Sequence, residues 1–368
     1  MQQIDHVYQT LYSELAQRSL DESFVTEFSP AGRFITQQSR GRRYWYFDEE
    51  RDGRKKRLYV GPVDDPDITA RVENFKSLKA DIRARRRIVS TLTREARLPR
   101  PDRTAGDIIE ALQAVGFFRL RGVLVGTVAF QCYPAVLGVT LSNTAMQTAD
   151  ADFAQFHSIS AAVGDSLPPL LDVLKTVDPS FREVPHQTDG RFTTQFSAKS
   201  GYKVEFLTPN TASEENAGRP AAMPALGATR AEPLRFLDFL IYQPIRAVVL
   251  HSAGIPVLVP DPARYAVHKL IVATRRLHDD DGLAKNRKDR LQAQALMQAL
   301  IETRRHVDLA EAYMEAIDRG PHWRSAIHDS LDQIDHGTAG TIIDGLKRGM
   351  AKLGAAPGDY LPSGDVPP

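Results

Sequence analysis

The stretch Thr148-Ala149-Asp150-Ala151-Asp152-Phe153-Ala154-Gln155-Phe156 decides how the rest of the chain is read. Small or apolar residues alternate with polar ones, the period of a half-buried strand. Residues two apart in a strand project to the same face. Asp150 and Asp152 therefore share one face, and Ala149, Ala151 and Phe153 take the other. Strand interiors are depleted in Asp, so two at this spacing are costly unless something binds them.

Upstream, the buried strand VLVG runs through a Gly126-Thr127 turn into a helix. Before it, AGDIIEALQAVG (105–116) reads as a helix with Ile108, Ile109 and Leu112 on its apolar face. Thr104 is placed to cap it and Gly116 to end it. Downstream, SLPPLLDVLKTV (166–177) is a helix, and RFTTQFSAK (191–199) and YKVEFLTP (202–209) are strands. In the second of these, Glu205 stands between Val204 and Phe206, so its carboxylate projects away from apolar neighbours. Asp238 and Glu183 compete with it as the third carboxylate on this sheet. The order of elements predicts an α/β (α+β) fold, a mixed sheet layered with helices.

Outside this core the composition changes. Residues 1–103 form an N-terminal basic region: a helix, then the hairpin RRYWYF (42–47) and RLYVGP (57–62) around DEERDGRK with its Asp52-Gly53, then a long basic helix over 67–97. The prolines of LPRPDR (98–103) mark a linker. The core spans 104–260, with an Ala/Gly/Pro-rich excursion loop at 211–233 and two short apolar strands around Ser252-Ala253-Gly254. A C-terminal helical domain fills 261–354, and 355–368 is expected to be a disordered tail.

Asp150, Asp152 and Glu205 on adjacent strands would repel one another if bare. A hard divalent cation removes that penalty, and Mg²⁺ (or Mn²⁺) takes oxygen ligands while leaving room for phosphates. Two such ions can activate a hydroxyl and stabilise a pyrophosphate leaving group. The glycine of the Gly126-Thr127 turn lets backbone N–H groups approach a triphosphate, at the start of a helix. The expected catalytic and metal-binding residues are Asp150, Asp152 and Glu205; the expected nucleotide-binding residues are Gly126, Thr127 and Lys269. Lys269 lies in RYAVHKLIVATRR (264–276) and shares a face with Arg276, which fits either a phosphate contact or a solvated helix face.

This pattern resembles the DNA polymerase β-like nucleotidyltransferase superfamily, with its Gly-Ser/Thr turn, Asp-x-Asp strand and third acidic strand. The segments RRYWYF…YVGP, VGTVAF, TADADFA and PDPARYAVHKL further resemble a bacterial group of stand-alone nucleotidyltransferases. The resemblance covers most of residues 30–300. It implies NMP transfer from an NTP such as ATP to an acceptor hydroxyl (EC 2.7.7 type), with two Mg²⁺ or Mn²⁺ ions. One departure is the 23-residue separation of Thr127 from Asp150, lengthened by CYPAVLGVTLSNTAMQ.

The acceptor is less legible. The chain of 368 residues carries a net charge of +1, so global charge selects no partner. Locally, 71–103 holds eleven Lys/Arg against four Asp/Glu, and 40–57 holds eight against four with Tyr44, Trp45 and Tyr46 interleaved. That is the footprint of an RNA surface, such as one for a tRNA end. A charged helix packed on an acidic part of its own chain fits equally. A protein or small-molecule acceptor, or an inactive nucleotide- or RNA-binding module, are the alternatives. The single cysteine, Cys132, excludes an intramolecular disulfide and a thiolate zinc cluster and reads as a core residue. The ten His show no metal-ligand spacing, and His278-Asp279-Asp280-Asp281 reads as an exposed loop. The opening MQQIDHVYQTLYSELAQ lacks an apolar h-region and no apolar run is long enough to span a membrane, so a cytoplasmic location with no membrane partner is expected.

Overall fold

The structure is a computed structural model describing residues 1–28, 32–39, 41–51, 54–75, 82–141, 148–210, 219–227, 229–275 and 280–362. The Asp52-Gly53 turn, residues 76–81 of the basic helix, 211–218 of the excursion loop, Arg276 and His278-Asp279 lie outside the described residues. The chain forms two compact units, one of Ile4–Cys132 with Thr148–Val259, the other of Met1–Gln3, Tyr133–Gln147 and Pro260–Pro368.

The first unit opens with helix α1 (His6–Glu27) and a three-stranded antiparallel sheet, β1 (Arg33–Ser39), β2 (Arg42–Arg51) and β3 (Arg54–Pro62). The strands continue into DEERDGRK as far as Arg51, which pairs with Arg54, so the hairpin is longer than its sequence signal. One face of the sheet packs Phe47, Leu58 and Val60 with Phe28 and Ile68 into a small core. Each such buried side chain contributes about 2 kcal/mol.

The long basic helix is two helices, α2 (Pro66–Asn74) and α3 (Ile82–Arg94). Asp65 caps α2 by accepting from Asp67 and Ile68 N–H, and Pro66 begins it. Helix α3 buries Arg85, Ile88, Val89 and Leu92 and exposes Arg83, Arg86, Arg87 and Arg94. Helix α4 (Arg103–Ala114) follows, with Ile108, Ile109 and Leu112 fully buried. Its cap is Asp102, whose carboxylate accepts from Ala105 N–H at 2.9 Å. Thr104 therefore lies inside the helix rather than capping it.

The mixed sheet is built from β4 (Val123–Val125), β5 (Asp150–Ala154), β6 (Arg182–Pro185), β7 (Thr193–Ser197), β8 (Lys203–Pro209), β9 (Ala221–Ala222) and β10 (Arg230–Leu234). The main order is β4-β5-β8-β10-β9, with β7 also on β8 and β6 on β7. Strands β5, β8 and β10 run parallel, and the other pairings are antiparallel. Strands β9 and β10 fall in the segment read from sequence as an excursion loop. On the sheet's apolar face Phe153 stacks on Phe206 at 5.7 Å. Short helices α5 (Gly126–Phe130), α7 (His157–Ala162), α8 (Leu170–Val177) and α9 (Leu237–Leu240) and the hairpin β11 (Ile245–Val249) with β12 (Ile255–Val259) complete the unit.

The second unit is helical: α6 (Tyr133–Leu137), α10 (Pro262–Ala273), α11 (Asp280–Glu302), α12 (His306–Asp318), α13 (Pro321–Leu331) and α14 (His336–Lys352). Helix α6 comes from the lengthened stretch after Cys132, and the Tyr133 hydroxyl donates to Pro260 C=O at 3.0 Å. Beyond α14, residues 357–359 form a 3₁₀ turn and Leu361 is buried. No helix among the described residues is long and apolar enough to cross a membrane.

Candidate active site

Register brings three of the expected residues together. Antiparallel pairing sets Val125 opposite Asp152, and parallel pairing sets Asp152 opposite Glu205 and Asp150 opposite Lys203. Paired residues share a face, so Asp150, Asp152, Lys203 and Glu205 project together. Ala151, Phe153, Val204 and Phe206 fill the core behind them and are at most 1% exposed. Gln195 and Ser197 of β7 extend this polar face beyond β8. The Thr148 hydroxyl donates to Asp150. Glu183 pairs with Phe196 and so belongs to the other face, and Asp238 is on α9.

Gly126 touches this row. Its φ is +66°, a left-handed conformation that favours glycine, and a Cβ there would meet Asp152 Oδ2 at 2.4 Å. The glycine therefore makes room for the Asp152 carboxylate. Helix α5 has only five residues, so its macrodipole is small. Thr127 is buried at its start.

Burial, then the charges of Asp152, Glu232 and Asp150, push the Glu205 carboxyl up to about 7, with Lys203 opposing. Among the described residues Glu205 has neither an ion pair nor a hydrogen-bonded partner. The Tyr202 hydroxyl is buried without a hydrogen-bond partner and is raised by burial, then by Asp102, Asp150 and Asp152. An all-oxygen donor set in like-charge contact suits a hard divalent cation such as Mg²⁺ or Mn²⁺.

Lys269 lies on α10 in the helical unit. It is buried, and its Nζ donates to Asp289 Oδ1 at 2.6 Å. Its ammonium is thus ion-paired within the helical unit.

Two groupings escaped the sequence reading. His251, between β11 and β12, places Nε2 2.7 Å from Asp107 Oδ1 and 4.0 Å from Glu110 Oε2, a set able to hold a metal ion. Asp107 and Glu110 are i,i+3 on α4, a visible spacing, but the His joins them only through tertiary packing. The second is His186 with Glu232 of β10, Nε2 to Oε2 at 2.7 Å, which adds a fourth acid beside Glu205. Cys132 is buried, which pushes its thiol up to about 12, so it is no thiolate nucleophile.

A family model described as Nucleotidyltransferase matches residues 103–318, from the start of α4 to the end of α12. No curated protein and no solved structure matches the chain. The family match takes in the turn, the Asp-x-Asp strand and the third acidic strand, and spans more than half of the sequence: the chain belongs to this nucleotidyltransferase family.

Proposed function

We propose that the chain is a metal-dependent nucleotidyltransferase of the DNA polymerase β-like kind, moving an NMP from an NTP to an acceptor hydroxyl, with RNA (a tRNA-type end) as the acceptor. The observation that carries this is the direct pairing of Asp152 with Glu205 across β5 and β8, against the Gly126 turn. Asp150, Asp152 and Glu205 would hold the Mg²⁺ or Mn²⁺ ions, which when bound supply charge neutralisation at the triphosphate and the attacking oxygen. The Gly126-Thr127 turn receives the triphosphate through its backbone. The apolar floor of Phe153 and Phe206 holds the acid-bearing strands rigid, so the carboxylates need no reorganisation during reaction.

The RNA reading is supported by where the basic residues lie. Arg83, Arg86, Arg87, Arg94, Arg97 and Arg100 are exposed, and none has an ion pair among the described residues. Arg83, Arg87 and Arg94 follow one face of α3. A helix packed on acidic parts of its own chain would have these guanidinium groups paired.

The test is incubation with each α-labelled NTP, Mn²⁺ and either total RNA or soluble protein. RNA labelling is expected. The RNA affinity falls steeply with salt, with a log–log slope of about −0.7 per phosphate contacted. Label confined to protein, with salt-independent RNA binding, sinks the RNA acceptor and leaves the transferase reading standing.

A further inference from the structure

Glu232 stands on β10, which pairs in parallel with β8 so that Glu232 is opposite Leu207. Leu207 is two residues beyond Glu205, so Glu232 projects from the same face as Glu205 and Asp152. Ala231, its neighbour on the opposite face, is fully buried. The acids thus continue across the sheet from β5 through β8 to β10, away from the Gly126-Thr127 turn at the β4 edge.

The surroundings of Glu232 fix its hydrogen bonding. The Thr188 backbone N–H donates to His186 Nδ1 at 3.2 Å, so Nδ1 carries the lone pair and the proton sits on Nε2. Nε2–H then donates to Glu232 Oε2 at 2.7 Å. Both side chains are mostly buried, 10% exposed for His186 and 20% for Glu232. The hairpin that carries His186 is tied by His186 N–H to Phe192 C=O at 2.9 Å, and Arg230 covers the Phe192 ring at 3.5 Å. His186 engages one carboxylate oxygen, and the remaining lone pairs of Glu232 have no other hydrogen-bonded partner among the described residues.

In nucleotidyl transfer the attacking and leaving oxygens lie roughly in line through the phosphorus. With the triphosphate over the turn at β4, pyrophosphate leaves on that side and the acceptor enters over β8 and β10. We propose that Glu232, oriented by His186, accepts the hydrogen bond of the attacking acceptor hydroxyl; the assignment rests on the transferase reading above. The acceptor O–H bond breaks, an O–Pα bond forms and the Pα–O bond to pyrophosphate breaks. The hydroxyl proton is released along the Glu232 hydrogen bond to solvent. A carboxylate at this point accepts from a hydroxyl and offers no donor to an anion, so the acceptor class is an alcohol and not a phosphate monoester. Glu232 is a catalytic residue in this scheme and His186 a positioning residue.

The experiment compares wild type with Glu232→Gln, His186→Ala and His186→Gln. Calorimetry measures binding of Mn²⁺ with a non-hydrolysable triphosphate. Transfer of α-labelled NTP is measured to total RNA and to soluble protein, and kinetics follow whichever pool wild type labels. Glu232→Gln is expected to bind Mn²⁺–triphosphate like wild type and to lose on the order of 100-fold in kcat. His186→Ala loses about tenfold, and His186→Gln recovers most of that because its amide N–H donates to Glu232. A purely structural role would lower thermal stability and leave kcat of the folded fraction unchanged. That result, or wild-type kcat in Glu232→Gln, overturns the assignment. So does joint loss of Mn²⁺–triphosphate binding, which would make Glu232 a metal-site acid. A wild-type chain that binds no Mn²⁺–triphosphate overturns the transferase reading and this assignment together, an outcome separable from a defect in the variant alone.

Discussion

Two sets of buried charge in this molecule are built on opposite rules. In the helical unit Lys269 and Asp289 meet at 2.6 Å, with side chains 10% and 4% exposed, and their charges cancel. On the mixed sheet Asp152, Glu205 and Glu232 crowd acid upon acid, and Glu205 is driven up to about 7. A paired buried charge is a packing solution, satisfied by the protein alone. Like charges gathered in one half-buried row are unfavourable for the protein alone, and fit the proposed role of the row in holding a cation. The contrast separates scaffold from site without reference to conservation.

The comparison breaks most sharply on stability. Asp289→Ala removes the carboxylate from a buried ammonium and is expected to cost about 3–5 kcal/mol, while replacing Lys269 and Asp289 together by Leu costs little. Chemical denaturation checks both. Equal tolerance of Asp289→Ala and Asp152→Asn would remove the distinction. Next is Gly126→Ala, which puts a side chain at φ +66° and against Asp152 Oδ2. It is expected to cost about 1–2 kcal/mol in stability and to weaken Mn²⁺–triphosphate binding measured by calorimetry. Unchanged binding would separate the turn from the acid row.

The smallest effect is on pH dependence. Folding raises the Glu205 carboxyl from 4.5 to about 7 through burial and neighbouring acids, so the native state favours its protonated form. That contribution is fully present below the unfolded value and is lost as pH rises through about 7. Without metal, the Tm should fall by several degrees between pH 5 and 8. Glu205→Gln should flatten the profile, and Mn²⁺ should restore stability at the upper end. A flat wild-type profile would mean the acids do not strain one another.

Much of this was readable from local pattern. The alternation around Asp150 and Asp152 predicts their shared face, and the Val204-Glu205-Phe206 triplet predicts which acid joins them, because period two is a property of each strand separately. The Asp152–Glu205 register joins residues far apart in sequence, and no local signal encodes it. Strand β10 hides for the same reason. Its short Arg-Ala-Glu-Pro alternation sits in an Ala/Gly/Pro-rich segment and becomes a strand by pairing with β8. Glu232 and His186 were missed along with it. Asp102 outcompetes Thr104 as a cap because its extended backbone, φ −60° and ψ 164°, turns the carboxylate onto Ala105 N–H. Helix α3 could be foreseen as basic, but which of its arginines face inward depends on packing. Arg85 is the buried one, donating to Ala253 and Gly254 C=O in the β11–β12 turn.

In the proposed function the acid row binds metal for nucleotidyl transfer. That role is tested most directly by single-turnover transfer from an α-labelled NTP, comparing wild type with Asp152→Asn at matched folded concentration in Mn²⁺. Asp152→Asn is expected to lose at least about 1000-fold in transfer, with thermal stability of the metal-free variant unchanged or raised. Near-wild-type transfer by a folded Asp152→Asn chain would contradict it.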